Sequence, residues 1–240
     1  VDLAVTAFRD YMAAWPSGDD LLETKIRIAR LLTRSGKSDA AKAEWKLLFS
    51  DPSTPPAEAM EARLQYGKIL GKTDTKEQLA HYAASIKHFD GLKAKIDASD
   101  LSRMHAAEMQ FTLLESEYAA FAAVTIPADS KEASKVLKAK IEGLSSLEKK
   151  YVQVLELKAG EWGIAALYRI GTLYANFAKV LRTAPCPKKL DEDQCFIYKA
   201  GLEDRAYPVS DKAVDAFQRA RDKSYELGLY TTYTAAAIEG

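Results

Sequence analysis

The stretch from Glu161 to Pro187, EWGIAALYRIGTLYANFAKVLRTAPCP, decides the fold. Trp162, Ala166, Ile170, Leu173, Phe177 and Val180 recur at steps of three or four, the repeat of one helix face. A second apolar row runs through Ile164, Leu167, Tyr168, Gly171, Tyr174 and Ala178. A helix that is apolar on two sides has to be covered on two sides, so neighbours flank it. Gly171 falls mid-helix, where it costs about 1 kcal/mol relative to Ala; this predicts that another backbone approaches closely there. The segment reads as the inner helix of a stacked helical array.

Upstream, short helical patterns alternate with breakers. Val1 to Trp15 places Leu3, Ala7, Phe8, Tyr11 and Met12 on one side and stops at Pro16. Leu21 to Arg34 (Leu22, Ile26, Ala29, Leu32 inward) ends at Ser35-Gly36, and Asp39 to Ser50 (Ala41, Trp45, Leu48, Phe49 inward) ends at DPSTPP. Ala57 to Leu70 and Lys76 to Phe89 form another short pair. Two longer helices follow, Asp100 to Val124 and Ser130 to Leu157, the second with Val136, Leu137, Ile141, Leu144, Leu147, Tyr151, Val154 and Leu155 inward. Beyond the opening stretch, Ala184 to Leu190 is a proline-bounded loop. Leu190 to Gly228 is helical, with a bend or break expected at Pro208, which removes a backbone donor.

The totals agree with an all-α chain. Of 240 residues, 48% are hydrophobic and 28% charged, and Pro (8) and Gly (12) are few enough to serve as punctuation between helices. Lys+Arg and Asp+Glu both number 34, so no net charge draws the chain to nucleic acid or anionic lipid. No stretch reaches the roughly 18 apolar residues of a membrane span. The chain begins at Val1 without a Met, from which a mature or trimmed fragment is expected, one from which a leader could have been removed.

Alternating helices with short connections direct attention to repeats. Ala4, Phe8, Tyr11 and Pro16 resemble the second helix of a tetratricopeptide repeat, with Tyr11 where a small residue is usual. Gly36, Ala41, Trp45 and Leu48 give a second copy. Ile170, Gly171 and Tyr174 are similar to the first-helix signature, and Ala213, Phe217 and Ala220 to the second. Those two halves lie about thirty residues too far apart for an uninterrupted repeat, which makes Pro185 to about Pro208 an insertion. Residues 60–160 fit the repeat poorly. The 161–187 segment with its cysteine loop and the following AYP also resembles long envelope repeat proteins of myxobacteria and related predatory bacteria, some of them in gliding-motility machinery. The resemblance implies one α-solenoid of paired antiparallel helices over residues 1–240: short pairs in 1–90, long helices in 100–183, a cysteine-containing insertion in 184–208 and a closing helix in 209–228.

Cys186 and Cys195 are the only cysteines and are separated by eight residues. Zinc would need two further ligands and no histidine is near in sequence; CxxC redox chemistry does not fit the spacing. A structural disulfide, stabilising by roughly 2–3 kcal/mol on the chain-entropy estimate, is expected, and with it a periplasmic or other oxidising compartment. The alternative is a pair of free thiols in a cytosolic protein. Gly67 to Thr73 has three residues between its glycines where a phosphate loop has four, and follows a helix rather than a strand, so it reads as a helix end and turn. Ser146 and Lys149 match S-x-x-K without its companion motifs. His81 and His88 are seven apart, too far for chelation from one helix face, and His105 stands alone. No catalytic constellation, metal or cofactor site is assembled, so a non-enzymatic role is expected.

If the repeat register holds, Tyr168, Thr172 and Asn176 line a groove on one helix, and Arg27, Arg30 and Arg34 line the corresponding side of another. Such rows could hold an extended peptide or a partner helix, with Arg gripping a carboxylate. The expected function is a protein–protein interaction scaffold of a bacterial envelope complex. The alternatives are a helical accessory domain of a larger enzyme or transport assembly, and a helical protein that binds a small ligand between its long middle helices.

Overall fold

The computed structural model describes residues 1–97 and 100–240, with Ser130 described by its backbone alone. Among the described residues it is all-helical, with ten helices and no strand. The chain falls into two compact units, residues 1–110 and 111–240.

The first unit contains α1 (Asp2–Ala14), α2 (Leu21–Arg34), α3 (Ser38–Ser50), α4 (Pro56–Leu70), α5 (Thr75–Leu92) and the first part of α6 (Ser102–Ala123). From α1 to α5, each helix packs on the next in sequence. The core gathers Val5, Ile26, Ile28, Ala29, Leu32, Ala41, Trp45, Leu48, Ala62 and Ile69. Trp45 is fully enclosed, and its indole N–H donates to Thr33 Oγ1 at 2.9 Å, so its one polar atom is satisfied. Leu3 and Ala7, expected inward, are exposed; α1 buries only Val5 fully, because it packs against α2 along one narrow strip.

The second unit holds the rest of α6, α7 (Ser130–Glu156), α8 (Gly160–Thr183), α9 (Glu192–Leu227) and α10 (Thr232–Glu239). Helix α8 packs on α7, on α9 and on α10, which covers both of its apolar rows. Ile164, Ala165, Ala166, Leu167, Ile170, Gly171, Leu173, Tyr174, Phe177, Ala178, Val180 and Leu181 are all buried. At Gly171 the close approach is made by an aromatic ring and not by a backbone. A Cβ there would lie 2.5 Å from two carbons of Phe217 on α9. On α7, Leu144, Leu147, Tyr151 and Val154 are buried as expected, whereas Ile141 faces solvent at 49% exposure.

Helix α9 runs unbroken through Pro208. The carbonyl that loses its donor belongs to Asp204, four residues earlier, and both residues are exposed, so water replaces the missing bond. The expected insertion therefore reduces to a loop, residues 184–191, and the first turns of a long helix. The end of α6 is closed by Lys140 of α7, whose buried ammonium donates to Phe121 O at 2.7 Å and Val124 O at 3.0 Å and lies over the Phe121 ring.

Ion pairs join helices to the next but one within each unit. Arg9 of α1 meets Glu44 of α3 at 2.7 Å, Arg30 of α2 grips Glu61 of α4 through two 2.8 Å bonds, and Lys68 of α4 meets Glu108 of α6 at 2.5 Å. In the second unit Arg169 of α8 grips Glu115 of α6.

Candidate interaction site

The C-terminal unit presents a helix start that is held from several sides. Asp191 caps α9: its carboxylate accepts the Gln194 N–H at 2.8 Å, and Gln194 Oε1 accepts the Asp191 N–H at 3.2 Å. This reciprocal pair satisfies two end groups at once, and Glu192 and Asp193 in the first turn complement the helix dipole. Cys195, one turn in, forms a disulfide with Cys186 across a Cα–Cα distance of 5.7 Å. Lys199 Nζ donates to Ala184 O at 2.5 Å, and Arg182 of α8 holds Glu203 through two 3.0 Å contacts and Ser210 Oγ at 2.9 Å.

On this held helix, large apolar side chains face water. Phe196 is 77% exposed, Tyr207 65%, Val214 48% and Tyr225 52%. Their separations of 11, 7 and 11 residues return them to one line of an α-helix within about 20° of rotation, over roughly 43 Å. Ile197 stands beside Phe196 at 70% exposure. The buried residues of α9, among them Leu202, Ala206, Ala213, Phe217 and Ala220, lie on a different side, toward α8 and α10. The stripe is therefore separate from the packing face. The sequence signal for it was the recurrence of isolated bulky residues at multiples of the helical repeat within an otherwise polar surface.

The rows expected from the sequence are placed as follows. Tyr168 is half-buried, its ring 5.7 Å from Phe217 and 5.9 Å from Tyr233. Thr172 Oγ1 donates to Arg169 O within its own helix, and Asn176 Nδ2 donates to Ala122 O at 3.3 Å while its Oδ1 is buried without a partner. Beside this row, Glu115 accepts from Arg169 and from the Tyr151 hydroxyl at 3.1 Å, and the Arg169 guanidinium lies over the Tyr118 ring at 4.7 Å. Burial opposes the charge on Arg169, but the Glu115 carboxylate holds its pKa above the ordinary value. Burial, helped by Glu115, pushes the Tyr151 hydroxyl up, so it remains a donor. On α2, Arg27 pairs with Glu23 at 2.9 Å, Arg30 is occupied by Glu61, and Arg34 is exposed.

The remaining motifs have packing explanations. Gly67 lies inside α4, where a Cβ would meet the Tyr82 ring at 2.1 Å, and Gly71 is the helix cap with ordinary right-handed φ of −60°. His81 Nε2 donates to Arg63 O at 2.8 Å. Among the described residues no group of three or more His, Cys, Asp or Glu could hold a metal ion, and no helix is long and apolar enough to cross a membrane. Compared with known protein families, with curated proteins and with solved structures, the chain matches none of them.

Proposed function

We propose that the protein is a non-enzymatic interaction scaffold, a solenoid of TPR-like helix pairs that acts in a bacterial cell-envelope complex. The observation that carries the interaction reading is the α9 stripe of Phe196, Tyr207, Val214 and Tyr225. Apolar side chains aligned on one face of a covalently held helix suit a partner helix laid along it. The Cys186–Cys195 disulfide supports an oxidising compartment. The ion pairs that link alternate helices support the repeat reading, because stacking of successive pairs brings every second helix into contact.

The test is affinity capture with the tagged chain from separated envelope and cytosolic fractions, alongside the double substitution Phe196→Ser, Tyr207→Ser. Both positions are exposed, so the variant keeps the wild-type melting temperature. A near-stoichiometric envelope protein held by the wild type and lost by the variant supports the proposal. A main partner that is a cytosolic enzyme, or one retained equally by the variant, refutes it.

A further inference from the structure

We infer that the first unit contains a binding pocket for a carboxylate carried on an apolar body. A cavity of about 560 Å³ adjoins the start of α4, within the usual size range of small-ligand sites. Phe49, Pro52, Pro56 and Leu92 form apolar walls, and Arg63 and His88 provide polar ones. Pro56, Ala59 and Arg63 share one face of α4, and helix side chains lean toward the N-terminus, so Arg63 reaches back over the small Ala59.

Arg63 differs from the arginines that are engaged in ion pairs. Arg9, Arg27, Arg30, Arg169 and Arg182 each hold a carboxylate. Among the described residues none pairs with Arg63. Its guanidinium lies 4.8 Å over the Phe49 ring, Nη2 makes one long contact of 3.5 Å to Phe49 O, and Nε is buried without an acceptor. Burial lowers its pKa, with no anion to offset the effect. A half-buried cation with an enclosed, unpartnered Nε and no counter-charge among the described residues is unfavourable, and an anionic ligand would supply that counter-charge. The α4 N-terminus adds to the attraction: Pro55 at the N-cap offers no side-chain acceptor, and the first-turn N–H groups have no partner within the helix.

One lining carboxylate restricts the ligand class. Asp51 lines the cavity, held by the Ser53 N–H at 2.9 Å and hydroxyl at 2.6 Å. The Asp51 carboxylate disfavours a dianion such as phosphate, and the apolar walls favour a hydrophobic body. Both select a monocarboxylate.

The full chain is titrated calorimetrically with N-acetyl-leucine, N-acetyl-leucinamide and inorganic phosphate. Saturable binding of the acid is expected, with the amide and phosphate at least about tenfold weaker. Arg63→Gln should lose about tenfold or more in acid affinity, with Arg63→Lys between the two. Removing an uncompensated cation leaves the melting temperature of the Gln variant at or above wild type. A short peptide ending in a free leucine carboxylate identifies the source. Tighter binding than N-acetyl-leucine assigns the site to a partner's C-terminus, and equal or weaker binding assigns it to a small acid. Absence of saturable acid binding, equal binding of acid and amide, or unchanged affinity in a folded Arg63→Gln chain overturns the inference. The site is independent of the α9 stripe, so the Phe196→Ser, Tyr207→Ser chain binds the acid as the wild type does.

Discussion

Replacing Gly171 by Ala tests the packing of the helix pair at the centre of the second unit. The added Cβ falls 2.5 Å from Cδ1 and Cε1 of Phe217 and 3.0 Å from Cζ, whereas carbon atoms in contact normally lie about 3.5–4.0 Å apart. The ring would have to retreat by roughly 1 Å, and at 6% exposure it has little free space to enter. Overpacking of this kind costs about 1–3 kcal/mol, against about 1 kcal/mol gained from the helix preference of Ala over Gly. With two ring carbons overlapped, the upper end applies and the net loss is about 2 kcal/mol, a fall in Tm of about 4–8 °C. Urea unfolding followed by circular dichroism measures it. Phe217→Ala alone should lose about 3–5 kcal/mol through its cavity. In the double variant the new methyl occupies vacated space, so the combined loss falls short of the sum by about 1–2 kcal/mol. Strict additivity, or a Gly171→Ala chain as stable as wild type, refutes the claim that Phe217 rests on Gly171.

Other perturbations separate the remaining contributions. Cys186→Ser, Cys195→Ser should lower stability by about 2–3 kcal/mol, and dithiothreitol should reduce the wild-type melting temperature to that of the variant. Glu115→Gln should cost about 1–2 kcal/mol, since its pair with Arg169 is only partly screened by solvent; a double-mutant cycle with Arg169→Met isolates the pair. Burial lowers the pKa of His81, His88 and His105. The unfolded chain therefore takes up protons first, and denaturant midpoints should fall as pH drops below about 6.5, where an unfolded His titrates. Burial brings Lys140 down to about 8, below the roughly 10.4 of an unfolded lysine. Stability from this group accordingly rises with pH between those values, by about 1–2 kcal/mol from pH 7.5 to 9.5, a slope that Lys140→Met should remove.

Helix positions were legible because breakers and periodicity agree. Leu21–Arg34 is bounded by a turn and by Ser35-Gly36, and Ser38–Ser50 by DPSTPP, so local signals and the observed ends coincide. Both rows of α8 are buried except for the half-buried Trp162 and Tyr168, because a helix apolar on two sides leaves no other arrangement. Periodicity was less informative about what covers a face. Leu3 and Ile141 lie on apolar rows yet face water: Leu3 is on the side of α1 away from the buried Val5, and Ile141 is turned off the side of α7 that buries Lys140, Leu144 and Leu147. The polar row of Tyr168 and Asn176 meets groups of α6, α9 and α10 distant in sequence, contacts that no local pattern encodes. The stripe on α9 is hard to read from sequence for a related reason: its members are 7 and 11 apart, longer than the steps of three and four that mark an amphipathic face. Arg63 looks like any surface arginine in a helix until its enclosed Nε, left without an acceptor among the described residues, is seen in three dimensions.

Packing order along the chain also differs between the units. From α1 to α5 each helix packs on its immediate successor, so loop-closure entropy is small and structure can accumulate as the chain emerges from synthesis. The second unit adds a contact between helices that are not successive. Helix α10 packs back on α8, and Tyr233 stands against Tyr168 and Phe111, so that ring cluster cannot assemble until α10 is available. Without α10 that part of α8 lacks its cover, so a delay in docking this short helix would delay the closing of the ring cluster.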